Sequence, residues 1–496
     1  MIILKFRGER GETPIYEAMK KYIDKEYLNF HTPGHCQGKW VEENLKKIIG
    51  EKAFKADLTE LPGLDNLHTP VSSIKESEKL AAETFGADKT KFLVNGSTAG
   101  IIAAIMTAVD RDEKILIPRN AHKSVYNGLI LSEADPTYIP LKKINGNFPL
   151  NVDIEVLKKS LKENIFKALL LTNPSYYGVC IKNIKEIKTN KCNPTHNDIL
   201  MIIDEAHGAH LDFCNKLSDG ASKSCADLWV QSIHKNLGSL TQSAMLHFRD
   251  AKIDIQRLEA MLNLLQTTSP SYLLLLSLEL ARDNLENNSN LWDDFVDRLI
   301  RYREKISERI KGFKLLQEND IDPSLSLDIT KLTLFTDKLG VTGYEIAEIL
   351  KKDYNILVEL SSYDHILLFI TPAHDEENLS YLFDVLDDLS KRLLNYNKPM
   401  LQNHEKFPDV PDIALKPGDA IKLKTREINL SEASGKVSAD FVVPYPPGIP
   451  VLIPGEIITK DIINYIEFID FIEGSFIEGV TKSNNKRKGI KVVENY

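Results

Sequence analysis

The sequence predicts an α/β chain built on a parallel or mixed, doubly wound sheet, followed by smaller α+β units. Three observations predict it. Between about residue 75 and about 250, short apolar runs rich in aliphatic and β-branched residues alternate with stretches of helical spacing. Each strand-like run opens into a polar loop, at Asn95, Arg119, Thr172, Asp204 and Ser232, which puts the polar groups at strand carboxyl ends, where open α/β sheets hold ligands. After about residue 310 the pattern turns to a few strands among long helices, and then to a stretch rich in proline and charge.

Taken in order, an amphipathic helix over Pro14 to Tyr22 leads to His31-Thr32-Pro33-Gly34-His35, where Pro-Gly enforces a turn and the histidines project from a loop. The stretch Asp57 to His68 is dense in acids and turn formers, and reads as a loop packed on something rather than as a linker. Helix Ile74 to Phe85, strand Lys91 to Val94, the turn Asn95-Gly96-Ser97-Thr98-Ala99-Gly100 and an apolar helix from Ile101 to Val109 follow. Strands are then expected at Lys114 to Ile117, Ala168 to Leu171, Ile199 to Ile203 and Leu228 to Val230, with a return strand at Ala244 to Phe248. Residues 251 to about 310 read as long helices broken at Gln266 to Tyr272, where Ser-Pro favours an interruption. A compact α+β unit follows, with strands at Leu332 to Phe335, Ile356 to Leu360 and Ile366 to Ile370 and helices at Gly343 to Lys352 and Leu379 to Leu394. Lys406 to Pro411 is a connector, and the prolines between Phe441 and Glu456 allow only extended or edge-strand backbone. The basic tail Lys482 to Lys488 reads as a solvated terminus. The expected division is an N-terminal arm and substrate-loop segment (1–70), a large ligand-binding domain (71–310), a small α+β domain (311–395) and a C-terminal α+β domain (396–496).

Bulk properties narrow the function classes. A chain of 496 residues, 43% hydrophobic and 27% charged, has the composition of a soluble globular protein too long for one core. Its net charge of -9 argues against a dedicated nucleic-acid binder and suits a cationic substrate. No apolar run is long enough to span a bilayer and the first residues lack the core of a signal peptide, so no membrane association is expected. The cysteines, at 36, 180, 192, 214 and 225, are odd in number and form no Cys-x-x-Cys pair. Neither a disulfide framework nor a metal centre is expected, and the natural setting is a reducing cytoplasm.

The chemistry concentrates at two strand ends. Ser232-Ile233-His234-Lys235 follows the run Leu228 to Val230, and Asp204-Glu205-Ala206-His207 follows Ile199 to Ile203. A strand-end lysine facing a strand-end aspartate is what pyridoxal phosphate needs. The amine bonds to the cofactor aldehyde, the carboxylate stays ionised against the ring nitrogen, and hydroxyls or imidazole hold the phosphate. The turn of small residues at Ser97 and Thr98, feeding a helix N-terminus, is a second phosphate-suited element.

With these residues assembled, the chain resembles the Orn/Lys/Arg decarboxylases of the fold-type-I, aspartate-aminotransferase-like pyridoxal phosphate enzymes. The likeness runs from His31-Thr32-Pro33-Gly34-His35 to Pro454-Gly455-Glu456, and its specific motifs are Ser-x-His-Lys at Ser232 and Tyr-Pro-Pro-Gly-x-Pro at Tyr445. It is strongest to the short bacterial biosynthetic enzymes. The resemblance implies a large domain with a mixed sheet of the seven-stranded type. It implies Lys235 as the cofactor-attachment lysine, Asp204 as partner of the ring nitrogen and His122 as the imidazole stacked on the ring. Ser97, Thr98, Ser232 and His234 would hold the phosphate, with His207 near the ring, and Lys235 or His234 would return the proton. Thr268 would reach a neighbouring subunit's phosphate site, making a homodimer with shared active sites the minimum assembly. Cys36 departs from the basic or amide residue common after Pro-Gly-His in related chains.

The implied reaction is decarboxylation of a basic amino acid, L-arginine to agmatine and carbon dioxide in polyamine synthesis, with lysine or ornithine as alternatives. Candidates for binding the substrate are His31 and three carboxylates suited to a basic tail: Glu456, exposed by its Pro-Gly turn, and Asp57 or Glu60 in the acidic loop. An aminotransferase or lyase on the same fold is disfavoured because Ile366 to Ile370 runs into Thr371-Pro372-Ala373-His374 without an arginine. Intact Lys235, Asp204 and His122 disfavour a catalytically silent scaffold protein.

Overall fold

A computed structural model describes residues 12–25, 27–144, 148–189, 199–288, 290–395, 406–445, 448–471, 476–482 and 488–496. Its main sheet has seven strands, labelled here β1 (Lys89–Leu93), β2 (Lys114–Pro118), β3 (Asp135–Ile139), β4 (Ala168–Thr172), β5 (Leu200–Asp204), β6 (Leu228–Gln231) and β7 (Ala244–Phe248). Their spatial order is β1-β7-β6-β5-β4-β2-β3. Strand β2 runs parallel to β3 and β4, and β5 parallel to β6. The return strand β7 is antiparallel to both β1 and β6, so the sheet is mixed, as expected of the fold class. Strands β4, β6 and β7 are buried at every residue, which is why they read as continuous apolar runs rather than as alternation.

By compactness the chain divides into two units. The first comprises Met1–Thr107, Ile202–Phe213 and Gly220–Asn290. Its helix Pro14–Ile23 opens on proline, and the first-turn N–H groups of Ile15 and Tyr16 donate to the buried Glu279 carboxylate at 2.8 Å each. Glu279 lies on the helix Tyr272–Asn287, which begins after the Ser-Pro break. The acidic loop folds around Asp65, 2% exposed, whose carboxylate accepts from the N–H groups of Val71, Ser72 and Ile74 at 2.7 to 3.1 Å. The helix Gly96–Ala108 packs on β1 and β6 through Gly100, where a Cβ would stand 2.5 Å from Leu93 Cδ1 and 3.0 Å from Val230 Cγ1.

The second unit comprises Ala108–Met201, Cys214–Asp219 and Leu291–Tyr496. After the long helix Leu291–Arg309 it carries a four-stranded antiparallel sheet, of which Lys331–Phe335 and His365–Phe369 form the centre. A capping box of Thr342 and Glu345 starts the helix Gly343–Tyr354. The strand expected over Ile356 to Leu360 is reduced to Leu360–Ser361, because Asn355 ends the helix in a left-handed turn and Leu357 stays 78% exposed. Towards the C-terminus, the helix Lys460–Phe471 packs its Ile462 and Ile466 against Val442, Leu452 and Ile458. The segment around Pro444 is an edge strand, Val443–Tyr445, paired with Phe476–Glu478, while Pro446 and Pro447 lie outside the described residues. The reading of the basic tail as a solvated terminus is corrected. Lys488 opens the strand Lys488–Val493, which pairs with Thr425–Asn429 and buries Ile490, Val492 and Val493, and residues 483–487 lie outside the described residues. Among the described residues no helix is long and apolar enough to cross a membrane.

Candidate active site

In the first unit β6 and β5 deliver their polar ends together. Asp204, the last residue of β5, pairs in register with Val230, and one short turn beyond Gln231 begins the helix Ile233–Asn236. That turn carries Lys235, whose Nζ lies 2.8 Å from His207 Nε2 on the loop after Asp204. Asp204 is 4% exposed, and among the described residues its carboxylate accepts only from Ala206 N–H, at 3.1 Å on Oδ1. Among the described residues Oδ2 thus receives no hydrogen bond, an arrangement that suits a cationic or N–H partner. His234 is half-buried and donates from Nδ1 to the Ser243 carbonyl at 2.8 Å. Burial lowers its pKa, a backbone hydrogen bond opposing, so the neutral ring leaves Nε2 as an acceptor.

The helix expected from Ile101 already begins at Gly96, so Ser97 and Thr98 lie in its first turn rather than in a loop before it. Ser232, fully buried, donates from Oγ to Ser97 Oγ at 2.9 Å, joining the end of β6 to the first turn of the helix Gly96–Ala108, and Thr98 is exposed in that same turn. Sequence reasoning missed the groups that fix this turn. The Gln266 side chain accepts from Val94 N–H at 2.8 Å, Gln242 donates to the Val94 carbonyl at 2.5 Å, and Thr267 N–H reaches Asn95 Oδ1 at 3.3 Å. Both glutamines lie more than a hundred positions from Val94, so no local pattern marked them. Thr268, next to Thr267, is exposed. Among the described residues Asn236, 5% exposed, has no hydrogen-bond partner for either side-chain polar atom.

Behind these strand ends runs a buried chain of hydrogen bonds that the sequence did not announce. Gln231 donates to Glu205 at 2.7 Å and accepts from His247 Nε2 at 3.1 Å, while His247 Nδ1 meets Thr90 Oγ1 at 2.7 Å. Burial drops the His247 pKa to about 3 and, with Asp212 adding to it, raises Glu205 well above the carboxylate range. Residues 205 and 231 adjoin Asp204 and Ser232 and point to the other face of the sheet, as strand alternation requires.

The substrate candidates of the first unit differ in what they touch. Asp57 meets His35 Nε2 at 3.1 Å and keeps 36% of its side chain exposed. Glu60 spends both oxygens inside its loop, on Asn66 Nδ2 at 2.6 Å and Leu67 N–H at 3.1 Å. His31 Nδ1 lies 2.6 Å from the Thr32 carbonyl.

His122 and Glu456 belong to the second unit. His122 caps the helix Lys123–Ser132, accepting from Ser124 N–H on Nδ1 at 3.2 Å, so its neutral ring carries the proton on Nε2. The expectation that Glu456 stands exposed on its Pro-Gly turn is corrected. It is 0% exposed and grips Arg119, with Nε to Oε1 at 3.1 Å and Nη2 to Oε2 at 2.9 Å. Arg119 Nη1 also donates to the Pro450 carbonyl at 2.5 Å and to Tyr126 Oη at 3.2 Å. Burial pulls the guanidinium down, but Glu456 beside it more than offsets this; burial in turn raises Glu456, with Arg119 opposing. Arg119, a charged residue directly after an apolar strand, was the signal for this pair.

A mixed seven-stranded sheet with a lysine and a buried aspartate at neighbouring strand ends defines an α/β protein of the fold-type-I, aspartate-aminotransferase-like class. Family comparison makes this specific: residues 13–378 match the Orn/Lys/Arg decarboxylase major domain and residues 400–488 its C-terminal domain, so the chain belongs to the Orn/Lys/Arg decarboxylase family. It is 36% identical to the arginine decarboxylase of Bacillus subtilis (strain 168), over 92% of this chain and 93% of that protein. It is 34% identical to the arginine decarboxylase of Bacillus anthracis, over 93% of this chain and 94% of that protein. In structure it is similar to the lysine decarboxylase LdcF of Francisella novicida, with a TM-score of 0.82 over 97% of this chain and 81% of that one, at 22% identity.

Proposed function

We propose that this chain is a pyridoxal-phosphate-dependent decarboxylase of L-arginine, releasing agmatine and carbon dioxide for polyamine synthesis in the cytoplasm. The observation that carries the reading is the strand-end pair: Lys235 with His207 at 2.8 Å, and Asp204 buried with one oxygen undonated among the described residues. The residues fit the cofactor. An amine, a buried carboxylate that takes one N–H among the described residues, a helix N-terminus with two joined hydroxyls and the Asn236 amide make up a set of polar groups suited to it. Family membership and relatives named arginine decarboxylase support the reaction and the substrate.

Bound there, pyridoxal phosphate supplies a sink for the electron pair left when carbon dioxide departs. The chain supplies the rest. Lys235 provides the attaching amine and has a proton partner in His207. Asp204 would face the ring nitrogen, as the carboxylate at the end of the neighbouring strand. Ser97, Thr98 and Ser232 offer hydroxyls to the phosphate at the positive end of the helix dipole. His234, its Nδ1 committed to the Ser243 carbonyl, would stand beside that phosphate through Nε2. His122 contributes an imidazole to the ring. For the basic tail, Asp57 is the carboxylate with open surface, and His31 is in the same segment.

A homodimer belongs to this reading. Leu28, Phe30, Trp40, Ile48 and Ile49 are 76, 92, 85, 83 and 52% exposed in the first unit, a density of large apolar side chains that a second copy would cover. Thr268, also exposed, would then reach the partner's phosphate site. The test is carbon dioxide release from arginine, lysine and ornithine, offered separately to cofactor-loaded protein. Arginine is expected to turn over fastest, and release from none of the three would overturn the proposal.

A further inference from the structure

The loop that carries His122 is held on both sides by the C-terminal part of the chain. Three residues before it, Arg119 is clasped by the Glu456 carboxylate and the Pro450 carbonyl and lies over the rings of Tyr126 and Tyr138, 5.6 and 5.9 Å from their centroids. Immediately after it, Lys123 pairs with Glu478, and its ammonium stands 5.3 Å from the Phe441 ring centroid. Glu456 and Pro450 border the Pro-Gly turn, and Glu478 and Phe441 border the two-stranded ribbon Val443–Tyr445 with Phe476–Glu478. The two grips come from separate segments and differ in kind. The first is buried and bidentate, and the second is partly exposed, with side-chain exposures of 28 and 41%.

We propose that the C-terminal domain is a two-point clamp on the His122 loop, with Glu456 and Glu478 as positioning residues that act through Arg119 and Lys123 on the imidazole. The inference rests on the reading of His122 as a cofactor contact. The physical argument is that a loop fixed at one end still pivots, whereas ion pairs at both flanks leave the intervening residue one backbone path. The ring itself is then set by its cap on Ser124. The C-terminal domain thus contributes to the cofactor site through residues that never touch it.

The test uses the exposed grip, because substitutions at the buried one can unfold the chain. Pyridoxal phosphate affinity and the circular dichroism of the bound cofactor are measured for full-length Lys123→Glu, Glu478→Lys and the double swap, each also in a His122→Ala background. Each single reversal is expected to weaken cofactor binding about tenfold and to change the visible dichroism, and the swap to recover it to within about threefold. In the His122→Ala background the same changes are expected to have no effect beyond about twofold. Equal losses with and without His122, no loss at all, or a swap no better than the singles would overturn the clamp while leaving the cofactor reading standing. Failure of the unmodified chain to bind pyridoxal phosphate would overturn that reading, and the clamp with it.

Discussion

Asp204 and Glu456 look alike in the sequence, each an acid at the end of an apolar stretch that a loop could offer to a ligand. Both are buried, at 4 and 0% exposure. They differ in what their oxygens do. Among the described residues Asp204 takes a single N–H, at one oxygen, whereas Glu456 holds a guanidinium on both oxygens and also accepts from Ile453 N–H at 2.9 Å. A buried carboxylate with spare acceptor capacity is free to serve a ligand. One whose capacity is consumed is structural, whatever the motif around it suggests.

The strongest way to break this contrast is to remove each acid in turn. Asp204→Ala is expected to fold, with stability changed by about 1 kcal/mol, since one backbone hydrogen bond is at stake. Decarboxylation should fall by several powers of ten, at about 1.4 kcal/mol each. Near-normal turnover by the folded variant would show that Asp204 is not the partner of the ring nitrogen. Glu456→Ala should do the reverse and cost about 3 to 5 kcal/mol of stability in chemical denaturation, because Arg119 is left charged and buried. Replacing the pair together, as Arg119→Met with Glu456→Leu, is expected to cost less than either single change. A double variant no more stable than Glu456→Ala would mean that the pair's hydrogen bonds, rather than the uncompensated charge, dominate.

The polar chain behind the strand ends sharpens the comparison through pH. The ordinary histidine pKa is 6.5 and that of His247 is about 3, so between these values the unfolded chain binds a proton that the folded chain refuses. Its contribution is fully present above pH 6.5 and is lost as pH falls, by about 1.4 kcal/mol per unit. Relative to His247→Gln, the unmodified protein should lose about 2 kcal/mol between pH 6.5 and 5. Glu205, its pKa raised by burial, is common to both proteins, so the difference between them reads His247. Parallel stability curves for the two proteins would mean that His247 takes up its proton in the folded state.

These contrasts also explain what was legible beforehand. Strands β5 and β6 were visible because buried strands read as uninterrupted apolar runs, and a Ser or Asp that ends such a run marks where the chain meets a ligand edge. The Glu456 pairing was not visible, because Arg119 lies 337 positions away and the exposure of a Pro-Gly turn depends on what packs over it. The strand Lys488–Val493 hid behind its opening lysine for the same reason: burial of Ile490 and Val492 comes from Thr425–Asn429, not from neighbours in sequence. Glutamines 231, 242 and 266 carried no motif, yet they fix the ends of β6 and β1.

The smallest expected effect separates two acids of one loop. Glu60 gives both oxygens to Asn66 and Leu67, while Asp57 has His35 alone among the described residues and keeps open surface. If spare acceptor capacity is what distinguishes a ligand group, Asp57→Asn should raise the KM for arginine about tenfold, roughly 1.4 kcal/mol, with kcat little changed. Glu60→Gln should leave KM within about twofold, because its oxygens are already committed. The solution exposure of Asp57 makes a general loss of stability negligible for its variant, so a change in KM reads binding directly. A larger KM effect at Glu60 than at Asp57 would mean that the loop reorganises around the substrate, and that its hydrogen bonds in the free chain do not report its role.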